Sequence, residues 1–434
     1  TIPETIGECE VKQIGNHAFS DCTGITSIVI PDSVTEIGSY AFSGCTSLAE
    51  ITVSPDNQNY SSVDGVLFSK DVSKLITYPK GNKRSKYTVP DGVEKIDENI
   101  FFDCTYLEEI AIPDSVTNIG ESAFSGCTSL SKVKLSNGLT KIENRNFSGC
   151  TSLREIIIPD SVTSIGGSAF SGCTSLKEVE IPDSVTEIDG WAFSGCTSLT
   201  KIILPKNMTS IEGGVFSGCS SLESIVIPEG VTTIGTRSQS EPPYGSTFSG
   251  CTSLAEIVIP DSVTEIYDFA FSGCTSLSKV KLSNNLTEIA GATFSGCTSL
   301  REITIPDSVT SIGNYAFSDC TSLESVTIGS GVEQLDIDAF LDYSNAPVVS
   351  ASCRRLANIT VSPENKTYSS VDGVLFNKDK SELLAYPIGN KRSSYTIPDG
   401  VTKIDQKAFY GCRYIETLTI PASVNRSFRA RKLL

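Results

Sequence analysis

One histidine, one tryptophan and one methionine occur in 434 residues, and the scarcities exclude more than they reveal. His17, in "GNHAF", is the only imidazole, so the rest of the chain has neither a His-rich zinc site nor a Ser–His pair. An ordinary surface histidine is expected there. No C-x-x-C pair occurs, so the commonest zinc-cluster spacing is missing. P-loop, dinucleotide and EF-hand signatures are absent, and "PDNQN" and "VDG" lack calcium-loop spacing. Basic residues are too few for a phosphate-binding face: 34 Lys and Arg stand against 51 Asp and Glu, a formal charge of -17. No apolar run reaches the roughly 20 residues that cross a bilayer as a helix. The reading is of a non-enzymatic protein with no catalytic, metal or cofactor residues, no nucleic-acid partner and no transmembrane segment. The chain begins in mid-pattern with "TIPETIGECE", so nothing about a leader is read from its start.

What the chain does have is repetition. Cysteines stand at 22, 45, 104, 127, 150, 173, 196, 219, 251, 274, 297, 320, 353 and 412, mostly 23 residues apart, with Cys9 as an outlier. The unit reads L-x-x-I-x-I-P-D-S-V-T-x-I-G-x-x-A-F-S-G-C-T-S, as in Leu153 to Ser175. A fixed period of that length with Leu and Ile at constant offsets marks a solenoid. In Leu153, Ile156 and Ile158 the last two apolar residues alternate, so they share one face of a strand while Glu155 and Ile157 take the other. Pro159 has no N–H and ends the strand; Asp160 and Ser161 form turns. Val162 and Ile165 turn a second apolar stretch inward, Gly166 permits a bend, and Ala169 with Phe170 sends a ring into the interior. No coil buries these groups alone, so stability comes from its neighbours.

The expected fold is therefore a mostly β leucine-rich-repeat solenoid over 1–424. One long parallel sheet of short strands forms one side, with turns and 3-10 segments on the other. Two gaps of 59 residues, Cys45 to Cys104 and Cys353 to Cys412, each hold an insert. The two inserts match each other 308 residues apart: "ITVSPDNQNYSSVDGVLF" begins at 51 and "ITVSPENKTYSSVDGVLF" at 359. "GVLFSKDVSKLITYP" reads as two strands joined by a polar turn, so β-hairpin inserts are expected at about 54–89 and 362–397. Loop insertions are expected at 236–245 and 341–350, and 425–434 is a basic tail outside the repeat.

The unit, together with "NYSSVDGVLFSKD", "LITYPKG" and "YTVPDGV", resembles the BspA-type leucine-rich repeat proteins across nearly the whole chain. The resemblance implies an extracellular or cell-surface protein. It also implies adhesion, with a host matrix or microbial surface protein as ligand.

Three uses are open for the cysteines. Metal binding wants converging ligands, and disulfides between coils would need parallel side chains to tilt together. A buried free thiol behaves as a small apolar residue and suits a repeated tight corner, which is the expectation adopted here. Ligand binding is expected on the outward strand positions, which vary while the framework does not. The candidates are Glu155, Ile157, Glu178, Glu180, Lys201, Ile203, Ser224, Val226, Glu256 and Val258, where Ile157, Ile203, Val226 and Val258 form a broken apolar row amid charges. Opposite charges on neighbouring strands, such as Glu109 and Lys132, equally serve to neutralise one another. The twin "GNKRS" loops place Lys83, Arg84, Lys391 and Arg392 as possible contacts for an anionic ligand. The alternative to recognition is a structural spacer or self-associating filament element without a specific ligand.

Overall fold

The computed structural model describes residues 1–236, 246–340 and 353–424. The expected loop insertions, apart from Thr236, and the tail 425–434 lie outside the described residues. The chain forms two compact units, Thr1–Pro205 and Lys206–Leu434.

In the first unit each coil makes three turns of backbone ladder. Strands Lys86–Thr88, Glu109–Ala111 and Lys132–Lys134 pair in parallel and in register, as do Glu178–Glu180 and Lys201–Ile203. Residues 153–158 join neither group, so the sheet is interrupted at that coil. Opposite the sheet lies a second parallel ladder of two-residue strands, such as Lys141–Ile142, Ser164–Ile165 and Glu187–Ile188. This corrects the expectation of 3-10 segments there: among the described residues the only 3-10 helix is Ile337–Phe340, in the second unit. An inward Ile or Leu at each second-ladder strand favours stacking, and Thr163 reinforces it by donating from both N and Oγ1 to the Thr140 carbonyl, at 2.8 and 3.0 Å.

The third ladder runs through the corner. Arg145, Phe147 and Gly149 donate their N–H groups to the carbonyls of Gly167, Ala169 and Ser171 in the following coil, at 2.9, 2.7 and 2.7 Å. The residue two before each corner Phe is left-handed, as at Ser122, Arg145, Ser168 and Trp191, with φ between 54° and 63°. Such angles cost a non-glycine residue about 1 to 2 kcal/mol, which the corner hydrogen bonds and the ring behind them offset. Phe101, Phe124, Phe147, Phe170 and Phe193 stack with centroids 4.9 to 5.5 Å apart. Beside them the Cys127, Cys150 and Cys173 thiols donate to the carbonyls of Phe101, Phe124 and Phe147 at 2.9, 3.2 and 3.1 Å.

The second unit repeats the plan. Glu256–Val258 pairs with Lys279–Lys281, and Glu302–Ile305, Ser325–Ile328 and Asn358–Val361 form a parallel group of three. Phe216, Phe248, Phe271, Phe294, Phe317 and Phe340 stack at 5.3 to 5.8 Å.

The first insert holds Tyr60–Val63, Val66–Ser69 and Lys74–Thr77, paired antiparallel in that order. The first of these strands was not expected from the sequence. Lys74–Thr77 then pairs in parallel with Lys95–Ile96, so the insert ends by re-entering the second ladder. Asp64 and Gly65 both have positive φ, 55° and 78°, the geometry of a type I′ turn. Asn57, fully buried, anchors the insert: its Nδ2 donates to the Pro31 and Val34 carbonyls, and its Oδ1 accepts from the N–H groups of Asn59 and Tyr60. In the second unit Asn365 makes the same four bonds, to Gly329, Val332, Thr367 and Tyr368. The "PDNQN" segment is thus an anchor built on amide chemistry.

Candidate functional site

In the first unit Ile156, Val179 and Ile202 are buried, which forces their chain neighbours Glu155, Ile157, Glu178, Glu180, Lys201 and Ile203 outward. Ile157 is 83% exposed and Ile203 44%. Glu178 stands in register with Lys201, and Glu180 with Ile203. Exposed Ile157 belongs to the coil whose segment 153–158 joins no strand ladder. In the second unit Val226 is 82% and Val258 57% exposed, with Ser224 and Glu256 beside them on the same outward positions. Glu256 faces Lys279 and Val258 faces Lys281. Charges alternate in sign along the register, while the apolar side chains stand without cover.

The basic loops are held rigidly. Gly81 N–H donates to the Leu48 carbonyl at 2.7 Å, and a Cβ at Gly81 would lie 2.4 Å from Ser47 backbone, so only glycine fits this close approach. Asn82 Oδ1 then accepts from Arg84 N–H, and the exposed Arg84 guanidinium lies 3.7 Å from Asp64. Gly389 and Asn390 do the same in the second unit, leaving Lys391 and Arg392 exposed.

The cysteines carry no visible chemistry. All fifteen are free thiols, and burial pushes Cys104, Cys150 and Cys173 well above the ordinary thiol range and Cys127 up to about 12. Low thiolate content makes them poor nucleophiles and poor metal ligands. Among the described residues no group of three or more His, Cys, Asp or Glu could hold a metal ion, and no helix is long and apolar enough to cross a membrane.

One feature of the first unit was not anticipated. Between the coil of Gly38–Cys45 and that of Glu98–Cys104 the insert supplies a strand but no A-F-x-x-C corner. Leu75 takes the second-ladder position, and Tyr78, three residues on, places its ring 4.8 Å from Phe101 in the phenylalanine stack. The chain then turns away at Pro79. The missing corner leaves a cleft of about 1150 Å³ walled by Gly38–Gly44 and Glu98–Asp103, with Ile76, Thr77 and Lys80 beneath. Tyr40 Oη donates to Glu98 Oε1 across its mouth, which raises the phenol's pKa. Asp97 holds Lys74 and Lys95 at 2.9 and 3.0 Å, and these ammonium groups keep its carboxyl below the usual range against the opposing effect of burial, the largest single influence. Lys80 sits 4.6 Å over the Phe102 ring. The signal in the sequence was the 59-residue gap with a single cysteine where two coils would bring two.

Comparisons place the architecture. The BspA type leucine rich repeat region matches in six copies, over residues 4–83, 77–166, 140–241, 244–347 and 389–429. A leucine-rich repeat protein from Bacteroides ovatus is similar in structure, with TM-score 0.55 and 24% identity over 84% of this chain and 88% of that one. A leucine rich cell surface protein from Faecalibacterium prausnitzii is 30% identical over 83% of this chain and 86% of its own, with TM-score 0.48. A comparison with curated proteins gives no match. The sequence period, the stacked parallel coils and these likenesses agree: the chain belongs to the BspA-type leucine-rich repeat family.

Proposed function

We propose that the chain is a non-enzymatic recognition protein of the cell surface or extracellular space, binding a host matrix or microbial surface protein through the outward strand face. The observation that carries this reading is the exposure of Ile157 at 83%, between Lys134 and Glu180 on the equivalent positions of its neighbours, and of Val226 at 82%. An aliphatic side chain gains about 1.5 to 3 kcal/mol when fully buried against a partner. Each therefore makes an anchor of the size found at interface hot spots, surrounded by a charged rim. The surface location is carried over from the family, and the acidic charge suits a soluble, exposed protein.

The test is capture of host matrix proteins and microbial surface extracts by the full chain and by a variant carrying Ile157→Ser, Ile203→Ser, Val226→Ser and Val258→Ser. The proposal expects a partner, identified by mass, that the native chain retains saturably and the variant loses. Equal capture by the variant overturns the assignment of the face. Self-association into filaments with no captured partner favours the structural-spacer reading instead.

A further inference from the structure

The cleft beside the first insert is a gap in a hydrogen-bonded ladder, and its walls carry the unpaired groups. In the coil before it, His17, Phe19 and Asp21 donate their N–H groups to the carbonyls of Ser39, Ala41 and Ser43, at 3.1, 2.8 and 2.7 Å. Tyr40, Phe42 and Gly44, which occupy the donor positions of the next coil, have no acceptor among the described residues. On the far wall the pattern is complementary. Asn99, Phe101 and Asp103 donate onward to Glu121, Ala123 and Ser125, whereas the carbonyls of Glu98, Ile100 and Phe102 accept no backbone N–H among the described residues. Coils stack about 4.8 Å apart, so removing one corner separates the walls by about 9.6 Å, the width that one further corner segment fills. Phe42 is buried and the other five belong to half-buried or exposed residues open to the cleft, and one occupant would satisfy all six.

We infer that this cleft binds a short, basic peptide segment, which takes up the turn conformation of a corner and enters as the missing corner of the ladder. Its backbone carbonyls accept from Tyr40, Phe42 and Gly44, and its N–H groups donate to Glu98, Ile100 and Phe102. This is strand addition applied to a solenoid corner, with main-chain bonds giving affinity and side chains giving selectivity. Two features set the selectivity. Six carboxylates against three lysines line the cleft, and all three lysines lie beside carboxylates or an aromatic ring already, so the surplus charge is negative. Tyr78 already fills the ring slot, so the residue entering above it must be small. The volume, about 1150 Å³, lies somewhat above the about 300 to 1,000 Å³ of small-molecule clefts, as a peptide site would. In the second unit the equivalent walls are tied more strongly: Lys407 Nζ binds both Asp338 carboxylate oxygens at 2.6 and 2.7 Å, and Tyr386 N–H donates to the Ala408 carbonyl at 2.7 Å, where the first unit has the Tyr40–Glu98 hydrogen bond. Asp338 corresponds to Tyr40 and Lys407 to Asn99. The proposal is independent of the strand face and stands or falls apart from it.

The test uses the full chain and a fluorescein-labelled peptide, Lys-Lys-Gly-Ser-Ala-Ala-Ser-Gly-Lys-Lys, which copies Gly167–Gly172 with alanine in place of the phenylalanine. Fluorescence anisotropy should show saturable binding. Methylation of the peptide N–H groups that face Glu98, Ile100 and Phe102 should weaken it at least tenfold, as should glutamates in place of the flanking lysines. Tyr40→Asp with Asn99→Lys, which grafts the second unit's ion pair, should do the same with an unchanged far-ultraviolet circular dichroism spectrum. If that graft fails to fold, Glu98→Lys on the exposed rim should weaken the lysine-flanked peptide at least tenfold. Restoring phenylalanine to the peptide should also weaken it. No saturable binding up to about 1 mM, or equal affinity for the methylated peptide, overturns the inference. Equal affinity for the glutamate-flanked peptide overturns the assignment of a basic ligand.

Discussion

Alkali should unfold the first unit well before its tyrosines ionise, because the buried thiol ladder binds its protons more tightly in the folded state than in the unfolded one. Cys104, Cys127, Cys150 and Cys173 have an ordinary value of 9.0 and a folded value raised by desolvation, for Cys127 to about 12. A folded pKa above the unfolded one means a contribution fully present below pH 9 and lost as pH rises towards the folded value. At pH 10 the unfolded thiol is about 90% ionised and the folded one still protonated, which costs about 1.4 kcal/mol per thiol. The four together lose about 5 to 6 kcal/mol, comparable with the whole stability of a domain. Urea unfolding followed by circular dichroism at pH 8, 9 and 10, with reductant and under nitrogen, measures this directly. Cys150→Ala with Cys173→Ala should be less stable at pH 8 yet lose about 3 kcal/mol less than the native chain between pH 8 and 10. Tyr78 and Tyr87 are also raised by burial, but they are present in both proteins and cancel. An equal pH dependence in the two proteins would refute the account of the ladder as a set of desolvated, hydrogen-bonded thiols.

Thiol titration of the native chain should find Cys9 reacting at once, with the buried cysteines appearing only on unfolding, to fifteen in all without reductant. A shortfall after unfolding would show that bridges had formed. Phe170, fully buried between rings 5.5 and 5.2 Å away, should cost about 3 to 5 kcal/mol when replaced by alanine, read as a lower urea midpoint. A loss under about 1 kcal/mol would show that the stack closes over the gap. Asn57→Asp removes both amide donors from the Pro31 and Val34 carbonyls and buries a carboxylate. A cost of at least 2 to 3 kcal/mol is expected from the urea midpoint at pH 7, and a loss shrinking at pH 4 would confirm the buried charge as its cause.

The period made the fold legible because one side chain per ladder, Ile156, Ile165 or Phe170, recurs at fixed offsets and each is buried. The second ladder was hidden because its strands are two residues long. Ser164–Ile165 presents one inward side chain, which a turn would do equally well. The opening insert strand, "YSSV", lacks the apolar alternation that marks strands, and its place is set by Asn57 and by pairing to Val66–Ser69. The outward candidates were found correctly as exposed residues because alternation fixes facing. What the alternation could not show was that residues 153–158 leave the ladder, since pairing depends on the neighbours' backbone and not on the pattern of the strand itself.

The cleft was illegible for a different reason: it consists of something missing. Every repeated residue in a coil is committed to holding the next coil, so Cys173, Phe170 and the Ser168 backbone are satisfied by the stack and have little left to offer a ligand. A cluster of unpaired corner groups arises here where the period breaks. The first insert restores the sheet and second-ladder strands and the ring position through Lys74–Thr77 and Tyr78, but it does not restore the corner, and six backbone groups lose their partners together. An irregularity in a repeat is thus a more specific pointer to binding than its repeated framework, because here it gathers in one place hydrogen-bonding capacity that the stacked coils do not use.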